Sequence, residues 1–408
     1  RMFAAVKHQP RLFDMKIKNL IIALLTLISA AAEAQSFNDF FTDKTLRVNF
    51  ILGGNANSQN IYISNMNSID GWYGRKNHLA EFPVEGNTQF ELKDKKTGKV
   101  IYRNSLSTLF QEWQTYPEAK TSNRSFENVI LMPMPKDTAT LTISLISNRR
   151  QIAGSITETI SPTDILIRKT GEEPAPYEVL NKAADQEKCI HIAFLAEGYT
   201  DKEMDKFIND ARIATDAIFA HEPFKKYQDR FQVIAVKSAS EDSGTSVPSK
   251  GIWKKTALGS NFDTFYSERY LTTLNLSRVH DCLAGTPYEH IIILVNTDVY
   301  GGGGILNFYN LSSTGHKAYK PVIVHEFGHS FAGLADEYAY ENEPLELYPA
   351  DIEPWEANIT TLVNFHGKWE DMIAPKTKVP TPLSKKPEDI KNKVGLFVGA
   401  GYNTKTVY

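Results

Sequence analysis

The chain has 408 residues, enough for two domains with full cores. Its hydrophobic share of 42% and aromatic share of 11% are globular values. A net charge of −3 leaves no electrostatic footprint for nucleic acid.

Residues 1–14 precede a natural start methionine and read as translated upstream sequence or a gene-model artefact. From Met15 the chain runs MKIKNLIIALLTLISAAAEAQ, with Lys16 and Lys18, an apolar stretch over 20–28, then Ala32, Glu33 and Ala34. That is the pattern of a secretory signal with an A-x-A cleavage site after Ala34. The apolar stretch is too short to span a bilayer comfortably, and no cysteine follows the cut to carry a lipid. The mature chain is therefore expected to lack a transmembrane segment and to be secreted, periplasmic or on the surface of a bacterium.

Residues 35–168 read as β. TLRVNFILGG at 45–54 is a strand ending in glycines, and QFELKDKKTGKVIYRN at 89–104 is two strands around a Lys-Thr-Gly turn. TLTISLISNRRQIAGSITETI at 140–160 is a hairpin with alternating faces. Short strands without a long helix predict a β-sandwich that folds by itself and carries no chemistry. Asp70, Trp72, Tyr73 and Arg75 suit a carbohydrate or partner surface, or ordinary edge aromatics. Pro162, Pro174 and Pro176 precede and enter 169–188, which reads as a linker packed along one domain.

From Cys189 strands and helices alternate, so 189–408 is expected to be an α/β domain with a mixed sheet; the whole chain is then α+β. IHIAFLAEGY at 190–199 is a buried strand. Thr200 and Glu203 make a T-x-x-E capping box that opens a helix reaching about His221. FQVIAVKSAS at 231–240 is the next strand, and HIIILVN at 290–296 is apolar enough to be central. The glycines of 301–304 would let a substrate approach or form a mobile lip ahead of a strand over 305–313. Cys189 and Cys282 either pair or remain two buried thiols.

The chemistry is concentrated in PVIVHEFGHSFAGLADEY at 321–338. HEFGH is a full H-E-x-x-H. In a helix His325 and His329 leave the same face one turn apart, so both imidazoles can reach one zinc. Glu326, about 100° round the helix, can sit beside the metal and take a proton from an activated water. With ten histidines in the chain, the pattern arises by chance in on the order of 1% of such compositions. Pro321 suits a first helical turn, Val322, Ile323 and Val324 a buried helix, and Gly333 a stop. One catalytic zinc is expected.

In one zincin pattern the third ligand follows the second histidine by six residues, where this chain has Ala335. Gly333 is likewise one residue late, which shifts the ligand role to Asp336, with Glu337 or a distant glutamate as alternatives. The carboxylate that does not ligate would orient a histidine. The stretch 336–357 has eight acidic residues and no basic one. It could bind calcium or attract a cationic substrate, although a solvated loop is the plainer reading. Tyr338 and Tyr340 could donate to an oxyanion or simply pack. His316 could border the site or lie at the surface, and Met372 could lie under the metal or in the core.

HEFGHSFAGLADEY resembles the IgA-peptidase-like family of secreted bacterial zinc metallopeptidases. IAFLAEGYT at 192–200, YGGGG at 300–304 and EPWEANITTLVN at 353–364 resemble it too. The resemblance covers 189–408 and an N-terminal β domain. It implies a zincin-like endopeptidase with His325 and His329 as ligands and Glu326 as base, acting on extracellular protein. Immunoglobulin or another glycoprotein is a candidate substrate, but the resemblance does not require either. Family members continue into a Cys-containing tail, so the chain is expected to be truncated at Tyr408 and to lack a methionine turn. The competing readings are a non-enzymatic surface binding protein with a vestigial zinc site, and a zinc amidase acting on cell-wall peptide. The oligomeric state stays open.

Overall fold

Residues 36–338, 349–382, 386, 388 and 394–400 are described by a computed structural model. The signal segment, Tyr340 and the end of the chain lie outside them.

In the N-terminal half, a short helix α1 (Phe37–Phe40) leads into β1 (Phe41–Asn55), β2 (Ser58–Asp70), β3 (Thr88–Asp94) and β4 (Val100–Leu106). Helix α2 (Leu109–Trp113) precedes β5 (Arg124–Pro135), β6 (Ala139–Ile146), β7 (Ile152–Ile160) and the two-residue β8 (Arg168–Lys169). These strands form two four-stranded sheets, ordered β5-β1-β2-β8 and β4-β3-β6-β7. The two-residue period decides which side chains go in. In β6, Ala139, Leu141, Ile143 and Leu145 are buried and the residues between them are not.

The second half is built on a six-stranded sheet ordered β13-β14-β12-β10-β11-β9. Its strands are β9 (Tyr177–Asn181), β10 (Ile190–Glu197), β11 (Phe231–Val236), β12 (His290–Val295), β13 (Gly302–Ile305) and β14 (Tyr309–Ser313). The four inner strands are parallel, and each edge strand runs against its neighbour. Parallel strands are covered on both faces, so β11 is buried along its whole length and β12 from Ile291 to Val295. Thr200 and Glu203 close their capping box ahead of α3 (Met204–Phe219). Helix α4 (Leu276–Leu283) lies in the crossover to β12, and α5 (Tyr319–Ala332) follows β14.

The two faces of β10 go to different cores. Ile192 and Phe194 pack with α3 and α5, against Phe207, Ile323 and Phe327. Ala193 and Leu195 belong instead to one cluster that also contains Leu46, Phe50, Leu92 and Leu141 of the N-terminal sheets. The halves therefore share a core. Polar contacts reinforce it. Buried Arg47 reaches Asp281 Oδ1 at 2.6 Å and the Ser277 carbonyl at 3.1 Å. The Tyr270 hydroxyl donates to Glu112 at 2.6 Å.

One expectation changes here. The stretch read as a linker, 169–188, supplies β9, an edge strand of the six-stranded sheet. Trp72, Tyr73 and Arg75 make no open binding surface. Trp72 is buried edge-on to Tyr102, Arg75 lies over the same ring, and Tyr73 packs on His191. Asp70 pairs with Lys44 and Lys169. Cys189 and Cys282 are free thiols. No helix among the described residues is long and apolar enough to cross a membrane.

Candidate metal centre

Helix α5 carries the H-E-x-x-H. Pro321 stands in its first turn, and Gly333 ends it with φ of 61°, a left-handed conformation that only glycine enters without a steric penalty. The Gly333 amide returns to the His329 carbonyl, and the Leu334 amide to that of Gly328. This reversal brings the Leu334 carbonyl onto His329 Nδ1. A carbonyl can only accept, so Nδ1 holds a proton, and Nε2 is the nitrogen whose lone pair becomes available to a metal once it is deprotonated.

That lone pair faces two other donors. His329 Nε2 is 3.0 Å from His325 Nε2, and Asp336 Oδ1 is 3.2 Å from each of them. Two ligands at zinc-like bond lengths of about 2.0–2.1 Å sit about 3.3 Å apart on a tetrahedron. The three atoms thus span one face of such a polyhedron, and two imidazoles with a carboxylate are an appropriate donor set for a divalent metal. Glu337 turns away, and its carboxylate accepts from Asn358 at 3.1 Å. Asn358 also brackets Ala335, accepting from its amide at 2.9 Å and donating to its carbonyl at 2.8 Å. Sequence reasoning did not find Asn358. It lies within EPWEANITTLVN, but nothing local ties it to a loop more than twenty residues earlier.

Glu326 is held by the glycine run. The 301–304 segment is neither a loop nor a lip. Gly302 and Gly304 belong to β13, the edge strand, which pairs with β14. Helix α5 lies against that strand. A Cβ on Gly304 would stand 2.2 Å from the Glu326 carbonyl oxygen, and one on Gly302 3.0 Å from Glu326 Oε1. Ligand-type atoms of His325, Glu326 and His329 lie within 4.8 Å of one another. Burial pushes the Glu326 carboxyl up, against the pull of His329 and His325.

The other candidates fall outside this group. The Tyr338 ring stacks on His325 at 6.2 Å. His316 packs on Tyr300 and accepts from the Ala318 amide. Met372 is 63% exposed, so it is not a core methionine.

A cleft of about 500 Å³ opens beside His329. Gly304, Leu306, His329 and Leu334 line one side, and Ser107, Gln111 and Arg150 of the N-terminal half line the other.

The family model described as IgA Peptidase M64 matches residues 179–397, and that described as Peptidase M64 N-terminus matches 36–156. The chain belongs to the IgA peptidase M64 family. It is a peptidase, with protein or peptide as its substrate class. The M64 match begins inside β9. A search of curated proteins finds no match.

The M64 site has a pH signature. Burial disfavours charge on His329, but the hydrogen bond and charge of Asp336 outweigh it and raise its pKa from 6.5 to about 9. A raised folded pKa adds stability that is complete below the unfolded value near 6.5 and is lost as pH climbs through about 9. Thermal unfolding of chelator-treated protein should therefore show a falling melting temperature across that window. A flat profile would remove the His329–Asp336 contact. Metal loading near pH 7.5 should release about one proton, read as buffer-dependent heat of binding.

Proposed function

We propose that this M64 peptidase is an exported zinc-dependent endopeptidase that hydrolyses peptide bonds of extracellular proteins. The observation that carries the reading is the triangle of His325 Nε2, His329 Nε2 and Asp336 Oδ1, with Glu326 beside the two histidines and His329 lining a cleft. We read the N-terminal sheets as a sandwich and the second half as a zincin. Zinc, when bound, supplies Lewis-acid polarisation of a carbonyl and an acidified water. His325, His329 and Asp336 would hold it. Glu326 accepts the proton of the attacking water and passes it to the leaving amine. A polypeptide lies in the cleft, so the N-terminal half contributes one wall of the substrate site. The signal pattern from Met15 supports export with cleavage after Ala34.

The test is metal removal and return. Purified protein should carry about one zinc per chain, lose hydrolysis of a denatured protein substrate on chelation, and regain it with zinc. Full activity in metal-depleted protein would end the reading. Asp336→Ala should lose zinc while Glu337→Ala retains most of it, by elemental analysis after gel filtration. The reverse order would move the ligand role to Glu337.

A further inference from the structure

The segment 351–359 lies between the N-terminal half and the metal loop and is fastened to both. On the N-terminal side, Arg150 sits in the turn between β6 and β7. Its guanidinium lies 4.0 Å from the centre of the Trp355 ring, and its Nη2 donates to the Glu353 carbonyl at 2.9 Å. Arg149 Nη1 pairs with Asp351 at 3.3 Å. Arg150 adopts φ of 60°, a conformation that glycine or asparagine takes at lower steric cost. Arg150 Nη1 also pairs with Glu85 at 3.6 Å, so the strained arginine bridges its own half and this loop.

Inside the segment, Lys368 acts as a core. Its ammonium donates to the carbonyls of Pro354 at 2.9 Å, Glu356 at 2.7 Å and Ile359, and pairs with Glu353 at 3.0 Å. Three carbonyls turned toward one cation fix the curve of the loop, so a pull at Trp355 is transmitted to Asn358. On the far side Asn358 holds both backbone groups of Ala335, the residue before Asp336.

We propose that Arg150 is a positioning residue for the metal centre: through Trp355 and Asn358 the N-terminal half holds Asp336 within reach of the two histidines. This rests on the zinc reading above. It gives the N-terminal half a role in the metal site beyond forming a wall of the cleft.

The experiment measures zinc release from the full chain into excess chelator. Arg150→Ala and Asn358→Ala should each speed release by about tenfold or more, the low end for groups that orient metal ligands. The double variant should release little faster than Asn358→Ala alone, because both changes cut one path. Trp355→Leu breaks the same contact from the loop side and gives the reading if Arg150→Ala does not fold. Asp281→Asn, which weakens the Arg47 contact elsewhere in the same interface, should leave release unchanged. Unchanged release in both Arg150→Ala and Trp355→Leu would overturn the proposal, as would additive effects in the double variant. Equal acceleration by Asp281→Asn would also overturn it, by showing general loosening. A wild-type chain that takes up no zinc would overturn the zinc reading and this proposal with it.

Discussion

Glu326→Gln is expected to keep zinc and to lower turnover at least about 10²-fold, the low end for general-base catalysis. Glutamine has the shape of glutamate and fits the same place against Gly302 and Gly304. What it lacks is the ability to accept a proton. The proposed ligand triangle does not include Glu326, so metal content should not change. Turnover on a denatured protein substrate and zinc per chain, measured on the same preparation, separate the two effects. Wild-type turnover in the variant would remove the base from the mechanism, and loss of zinc would make Glu326 a ligand.

Gly304→Ala should be almost as damaging without touching any titratable group. The added methyl would stand 2.2 Å from the Glu326 carbonyl oxygen and 2.9 Å from its carbon, far inside contact distance. Both are backbone atoms, so no side chain can swing aside, and α5 must move off β13. Overpacking of this kind costs about 1–3 kcal/mol. A shift of about 1 Å at a catalytic group can cost about 10²-fold in rate. Gly303→Ala is the control, since its methyl would meet the Tyr270 ring at 3.4 Å, near ordinary contact. Thermal unfolding and turnover of the two variants should diverge. Equal behaviour would show that the helix does not need the glycine strand.

What the sequence made legible is mostly local. The i,i+4 spacing places His325 and His329 on one face, and Gly333 marks the stop one turn later. The Thr200–Glu203 box marks the start of α3. β13 was hidden because glycine has no strand preference of its own. Its glycines suit a strand here only because a helix lies on top of it, which no sequence window contains. Asn358 was hidden for the same reason, since its partner Ala335 is remote in sequence. The shared core escaped notice because an apolar run such as Ile291, Ile292 and Ile293 shows that both faces are covered, without naming what covers each.

That core has a consequence for how the molecule comes apart. Ala193 and Leu195 in the second half and Leu46 and Phe50 in the first are parts of one cluster, so neither half can open without stripping apolar surface from the other. The halves are therefore expected to unfold together, and a calorimetric scan should show one cooperative transition spanning both family matches, where the two-part sequence pattern would suggest two.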